Sequence, residues 1–354
     1  MKKILCVLLS LGILFTLSAC SKKVEQIKEP TVTTQTTTKP VVYYNPYTGK
    51  EGYNKNAVGK RPVALVVENQ YYARPQWGIK TPDIIVEGEV EGGISRMLWI
   101  YADYTAVPEK VGPTRSARPS YVKISELFDA VFIHWGGSGS NGAYVGGYDT
   151  IKRDGVDDLD GIAGGELFGR DTTRNTAIEH RGVIYGNKIP NVLKNKKIRT
   201  DTTKDKFTKF DFYEKATSIQ GSSALTVRNK FAGSTDTRVF KYSAEDKKYH
   251  SSDWETDVAF TNLIILKDRT DRYTVGKKGV TYVNYALSGG SGYLVSQGEY
   301  KTVKWDMTSG KLVLTDAEGK PIKLNKGRTY IGLSSSDDGG KVEIKGEQPT
   351  SANG

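Results

Sequence analysis

The chain has two cysteines, Cys6 and Cys20, and both lie at its start. Everything after Cys20 must hold together by its hydrophobic core, with no disulfide, cysteine metal site or cysteine nucleophile to draw on. The setting of Cys20 accounts for it. Met1-Lys2-Lys3 is positive, the apolar run over 4–17 is too short for an ordinary spanning helix, and Leu17-Ser18-Ala19-Cys20 closes it on small residues. This is the pattern of a bacterial lipobox, in which the cysteine is diacylated and the peptide is cut just before it. The competing reading is an incidental cysteine in a plain secretory signal. The sequence predicts a signal peptide over 1–19 and a mature protein that begins at Cys20, tethered to the outer face of the cytoplasmic membrane. Several acyl chains on one residue give stable anchoring.

Charge narrows the partners. Lys and Arg number 51 against 40 Asp and Glu, and removing Lys2 and Lys3 still leaves 49 against 40. Outside a cell, a basic surface meets anionic lipid headgroups, teichoic-type polymers or phosphate-rich glycans. The plainer reading is lysine spread over a solvated surface. Nucleic acid is excluded by compartment. The mature chain is long enough for two ordinary domains, its 21 tyrosines support a core, and no second apolar stretch is long enough to span a bilayer.

Residues 20–42 are threonine-rich without an apolar period and read as a flexible tether, which suits a thick wall and so a single-membrane (Gram-positive type) cell. The expected fold is α+β, a mixed α/β N-terminal domain over 43–204 followed by a smaller, mostly β domain over 205–345. In the first, apolar runs predict strands over 62–67, 83–87, 94–102 and 131–135, and the proline-led pattern over 119–130 predicts a helix. A glycine-rich loop follows over 136–142, and 143–200 reads as loops and short elements. The charged stretch over 194–206 marks the boundary. Beyond it, strands are predicted over 224–227, 238–242, 258–266, 281–285, 292–295, 299–305, 311–315 and 329–333. The polar tail over 346–354 reads as disordered.

The densest chemistry lies in Glu91-Gly92-Gly93-Ile94-Ser95-Arg96, Gly112-Pro113-Thr114-Arg115-Ser116-Ala117-Arg118-Pro119 and His134-Trp135-Gly136-Gly137. Arg115 and Arg118 directly precede a helix that starts on proline. A helix start exposes unpaired N–H groups, and guanidiniums beside it suit a phosphate or carboxylate. Ser116 and Ser120 add hydroxyls. His134 ends a strand before a glycine loop, where α/β folds place ligand contacts. Arg96, Arg174 and His180 complete the candidate set. The plainer reading pairs Arg115 and Arg118 with Glu87, Glu89 or Glu91.

These blocks, with Arg61-Pro62, Ala73-Arg74-Pro75-Gln76 and Asp83-Ile84-Ile85-Val86-Glu87, resemble the YerB-like family of bacterial surface lipoproteins over nearly all of the chain after the tether. The Gly-Pro-Thr-Arg-Ser-Ala-Arg-Pro block is the most specific part. The resemblance implies an N-terminal domain and a smaller β-rich C-terminal one, and no established activity. Where relatives carry a histidine-asparagine pair after Arg174, this chain has Glu179-His180-Arg181, which weakens a family-wide role for His180. The layout of acidic strand, arginine loop and helix is also similar to the LytR–CpsA–Psr enzymes. By that analogy Arg96, Arg115 and Arg118 would clamp phosphate, and Asp83, Glu87 or Glu91 would hold magnesium, the one cofactor implied.

Other patterns carry less. Ser120-Tyr121-Val122-Lys123 fits S-x-x-K but has no Lys-Thr-Gly partner, and Asp154, Asp157, Asp158 and Asp160 lack the EF-hand glycine. A three-histidine zinc site would need His134, His180 and His250 together. Tyr71-Tyr72, Trp77 and Tyr144 could stack on sugars or pack in the core. Three functions follow: a lipid-anchored protein binding an anionic envelope ligand or glycan; a metal-assisted phosphotransferase or hydrolase of wall polymers; or a scaffold docking a membrane-bound cell-wall synthesis protein. Arg115→Ala separates the first two from the third, which expects lost stability rather than lost binding.

Overall fold

A single sheet organises the chain because its strands are apolar on both faces. The computed structural model describes residues 41–202, 207–277 and 279–347, so the predicted signal peptide, Cys20, nearly all of the tether and most of the tail lie outside the described residues. In the first half come β1 (Val63–Glu68), β2 (Ile84–Glu89), β3 (Ser95–Tyr101), α1 (Pro119–Glu126), β4 (Val131–His134), α2 (Gly147–Asp154), β5 (Asp158–Asp160), β6 (Phe168–Arg170), β7 (Gly182–Ile184) and α3 (Ile189–Asn195). The described residues after 205 form strands alone. These are β8 (Asp211–Phe212), β9 (Ser222–Ser223), β10 (Thr226–Lys230), β11 (Thr237–Ser243), β12 (Lys248–Ser251), β13 (Val258–Phe260), β14 (Asn262–Asp268) and β15 (Thr270–Val275). They continue with β16 (Val280–Tyr285), β17 (Gly289–Ser296), β18 (Glu299–Asp306), β19 (Val313–Thr315), β20 (Lys323–Leu324), β21 (Thr329–Ser335) and β22 (Lys341–Lys345).

The main sheet runs β19-β18-β17-β14-β21-β2-β3-β1-β4-β5, with β9 also paired to β18. Strands from both sides of residue 205 thus hydrogen-bond in one sheet. The joint is β21, parallel to β2 on one side and to β14 on the other. β1 is parallel to β4, β4 to β5, and β3 runs antiparallel between β1 and β2. Hence β1, β2, β4, β5, β14 and β21 all present their carboxyl ends at one edge. β1, β2 and β21 are buried at every residue, as strands covered on both faces must be.

Alternation sorts the two faces. Ala64, Val66, Leu98, Phe132 and Ile331 share one core with Tyr121, Val122 and Phe128 of the α1 region. Leu65, Val67, Trp99, Ile133 and Tyr330 share the other with Leu193 of α3 and with Phe240, Trp254 and Phe260. Phe240 and Phe260 belong to a second, antiparallel sheet, β13-β12-β11-β10-β22, and Trp254 lies in the turn between β12 and β13.

Several boundaries differ from the sequence expectation. The helix from Pro119 stops at Glu126, since the chain turns there and Asp129 takes a positive φ of 52°. The predicted strand over 258–266 is two: Phe260 ends β13 in the second sheet and Asn262 opens β14 in the first. α2, β12, β15 and β22 were not expected. α2 is mostly polar and ends on Gly155, whose φ of 65° favours glycine. A chain ended after Asn325 loses β21 and with it the contact between β2 and β14. It should lack cooperative denaturant unfolding and near-UV circular dichroism, and a truncated chain that keeps both contradicts this account.

Candidate functional site

The edge at the carboxyl ends of the parallel strands carries a row of acids. β1 ends on Glu68, β2 on Glu87 and Glu89, and Glu91 sits in the turn that follows. Glu68, Glu87 and Glu89 are at most 2% exposed. A carboxylate so buried needs a partner, and each has an arginine.

Glu87 is the most enclosed. Arg238 Nη2 donates to its Oε1 at 2.6 Å, Tyr330 OH donates to its Oε2 at 2.9 Å, and Asn69 and Ser95 also donate to it. Burial works to lower the Arg238 pKa, but the charge and hydrogen bonds of Glu87 raise it. Glu89 accepts from Arg272 Nη2 at 2.7 Å and Ser234 Oγ at 2.9 Å. Glu91 takes two arginines: Arg96 Nη2 at 2.9 Å and Arg118 through Nε at 2.8 Å and Nη2. Arg118 also lies 5.2 Å from the centre of the Tyr282 ring, and Arg96 donates to the Ser116 carbonyl at 2.9 Å. Burial pushes the Glu91 pKa up, yet Arg96 and Arg118 together hold it down to about 2.

Glu68 is handled differently. Arg115 Nε donates to its Oε1 at 3.1 Å, and His180 Nδ1 meets the same oxygen at 2.8 Å. The other oxygen, Oε2, is buried without a hydrogen-bond partner among the described residues, as are Gln76 Oε1 and Thr114 Oγ1. Arg115 is 26% exposed, and its two terminal nitrogens make no hydrogen bond among the described residues. The loop carrying it is stitched between strand ends, Arg115 N donating to the Val66 carbonyl and Trp135 N to the Arg115 carbonyl. Gly112 begins this loop with φ of 130°, and a Cβ there would come within 2.8 Å of the Gly182 carbonyl oxygen.

Arg170, on β6, completes the cluster. It lies 4.0 Å over the Trp135 ring, is exposed, and donates one Nη to the Ile178 carbonyl. Burial first, and then repulsion from Arg115, lowers its pKa. Glu179 is drawn below the usual carboxylate range by its own backbone N–H and further by Arg115 and Arg170. Arg115, Arg170 and the Glu179 carboxylate thus share one electrostatic neighbourhood, in which the terminal nitrogens of Arg115 make no hydrogen bond among the described residues.

The structure divides the residues singled out from sequence. Arg115 and His180 converge on Glu68. Arg96 and Arg118 converge on Glu91 and are spent there. His134 is fully buried, Nδ1 against the Gly136 carbonyl at 2.7 Å and Nε2 against Asp158 at 3.0 Å, so it secures the glycine loop. Ser116 Oγ donates to the Trp135 carbonyl. Arg174 donates to the carbonyls of Ala73 and Pro75 and lies 4.0 Å over the Trp77 ring, pinning that loop. The three metal candidates do not meet. Asp83, just before β2, accepts from Asn45 and Ala102 N, while Glu87 and Glu91 face separate arginines. Among the described residues no three His, Cys, Asp or Glu side chains form a group able to hold a metal, so this trio gives magnesium no common site. Sequence reasoning missed Glu68 and Arg170. The signal for Glu68 is its pairing with Arg115 across 47 residues, and that for Arg170 is its stacking on Trp135, neither of which a local pattern carries.

Residues 47–199 match the N-terminal domain, and 224–331 the C-terminal domain, of a protein family of unknown function (DUF3048). The chain belongs to this family. It is homologous to YerB of Bacillus subtilis (strain 168), named as a candidate lipoprotein, with 28% identity over 315 residues, 85% of this chain and 89% of that one. The crystal structure of the Bacillus subtilis YerB protein shares the fold, with a TM-score of 0.66 at 24% identity, covering 85% of this chain and 99% of that one.

Two predictions follow from the ion pairs. Arg118→Ala leaves the partly buried Glu91 with Arg96 alone, and Arg115→Ala leaves the buried carboxylate of Glu68 with His180 alone, so Arg115→Ala should cost about 3 kcal/mol or more in denaturant unfolding. An Arg115→Ala variant as stable as wild type contradicts the pairing. Because the Glu91 pKa is depressed, its stabilisation is complete above the ordinary value of 4.5 and is lost as pH falls through about 2. The denaturation midpoint of wild type should therefore fall more steeply between pH 5 and pH 2 than that of Glu91→Gln. Parallel profiles contradict it.

Proposed function

We propose that this protein is a lipid-anchored envelope protein on the outer face of the cytoplasmic membrane of a Gram-positive type cell, and that Arg115 and Arg170 bind an anionic group of an envelope ligand. The anchor rests on the lipobox at Cys20 and agrees with the name of the YerB relative. No described helix is long and apolar enough to cross a membrane.

One observation carries the binding reading. Among the arginines of the acidic edge, Arg96, Arg118 and Arg238 are buried on carboxylates, while Arg115 keeps open donors beside a second, exposed guanidinium. Arg170 lies over the Trp135 ring, and the Trp135 backbone N–H bonds the Arg115 carbonyl, which brings the two guanidiniums into one neighbourhood. A phosphate or carboxylate there accepts from both planar groups and relieves their repulsion.

Thermal shift of the full chain in detergent tests this with pyrophosphate. Ligand at about a hundred times its Kd should stabilise wild type by about 2.7 kcal/mol, and Arg115→Ala/Arg170→Ala should keep its own melting transition and lose the shift. No shift in wild type, or an equal shift in the double variant, overturns the reading.

A further inference from the structure

The anion site continues onto an aromatic ridge. Tyr71 and Tyr72 form a single turn directly after β1 and are 68% and 64% exposed. Their rings meet edge to face at 5.8 Å. Tyr72 also packs against His180, with ring centres 5.8 Å apart and planes 35° from parallel. A chain of contacts thus leads from Arg115 through Glu68 and His180 to Tyr72. Beyond the ridge lies a cavity of about 320 Å³, bordered by both tyrosines, Gln70, Arg74, Ser95 and Asp236.

The lining of this cavity mixes apolar side chains, Ile94 and Phe231, with polar groups that are held in place. Arg238, Asn69 and Ser95 are all held by Glu87, and Arg74 donates to the carbonyls of Asn69 and Asp253. The side chains of Gln70 and Asp236, by contrast, make no hydrogen bond among the described residues. The surface therefore combines flat exposed rings, uncommitted amide and carboxylate groups, and a cationic end. A sugar ring fits: its C–H face lies on an aromatic ring while its hydroxyls donate and accept at the edge.

We propose that the ligand is an anionic glycan, with one sugar ring on Tyr71–Tyr72, its phosphate or carboxylate at Arg115–Arg170 and the next unit in the cavity. This rests on the anion-binding reading above and adds the class of molecule that bears the charge.

The experiment is titration calorimetry of the full chain in detergent with four probes. Oligogalacturonate supplies carboxylate sugars, a phosphomannan oligosaccharide supplies phosphate sugars, pyrophosphate supplies charge without a ring, and poly-glutamate supplies an acidic peptide. Tyr71→Ala/Tyr72→Ala should weaken at least one of the two saccharides about tenfold or more and leave pyrophosphate unchanged. Arg115→Ala should weaken both kinds of probe. The inference is overturned if pyrophosphate binds but neither saccharide does, if the tyrosine variant binds saccharides like wild type, or if poly-glutamate shows the same tyrosine dependence. Those outcomes leave the anion site standing. Failure of pyrophosphate itself removes the anion site and this inference together.

Discussion

Everything at the acidic edge of this fold depends on the neutralisation of Glu87. It sits at the carboxyl end of a central strand, fully buried, and its charge is met by Arg238 from a strand about 150 residues further along. A buried pair of this kind adds little over an apolar contact, but removing one partner costs about 3–5 kcal/mol. The pair therefore works as a lock. It fixes the second sheet over the first, and it orients Asn69, Ser95 and Tyr330 around itself. The same device recurs with Arg272 on Glu89 and with Arg96 and Arg118 on Glu91.

That row explains why arginine content alone misleads about function. Gly-Pro-Thr-Arg-Ser-Ala-Arg-Pro contributes two guanidiniums three residues apart, and the fold gives them opposite fates. Arg118 turns inward to Glu91 and under Tyr282. Arg115 faces out, shares Glu68 with His180 and stands beside Arg170. The plainer sequence reading, an arginine–glutamate lock, holds for Arg118. Arg115 has a carboxylate partner too, but one that occupies only its Nε.

Much of the sheet was legible because the runs around Val63–Val67, Ile84–Val86 and Met97–Ile100 are apolar at every position, as strands buried on both faces must be. α2 was not, since Thr150 and Ile151 are among its few buried residues and glycines flank it. The split at Thr261 was hidden because a strand passing from one sheet to another stays apolar throughout. The site was half legible. A proline-led helix behind two arginines is a local signal. The pairings Arg238–Glu87, Arg272–Glu89 and Arg115–Glu68 are set by topology, and β21, entering between β2 and β14 from near the end of the chain, is what brings the two halves together.

Carboxylates divide these arginines into locks and, in the function proposed here, a binding pair. Following the side-chain N–H signals of arginine by NMR while pyrophosphate is added tests it most directly. The account predicts that the signals of Arg115 and Arg170 move together and saturate, while those of Arg96, Arg118 and Arg238 stay fixed. Movement of Arg96 or Arg118, or no saturable movement at Arg115, would contradict it.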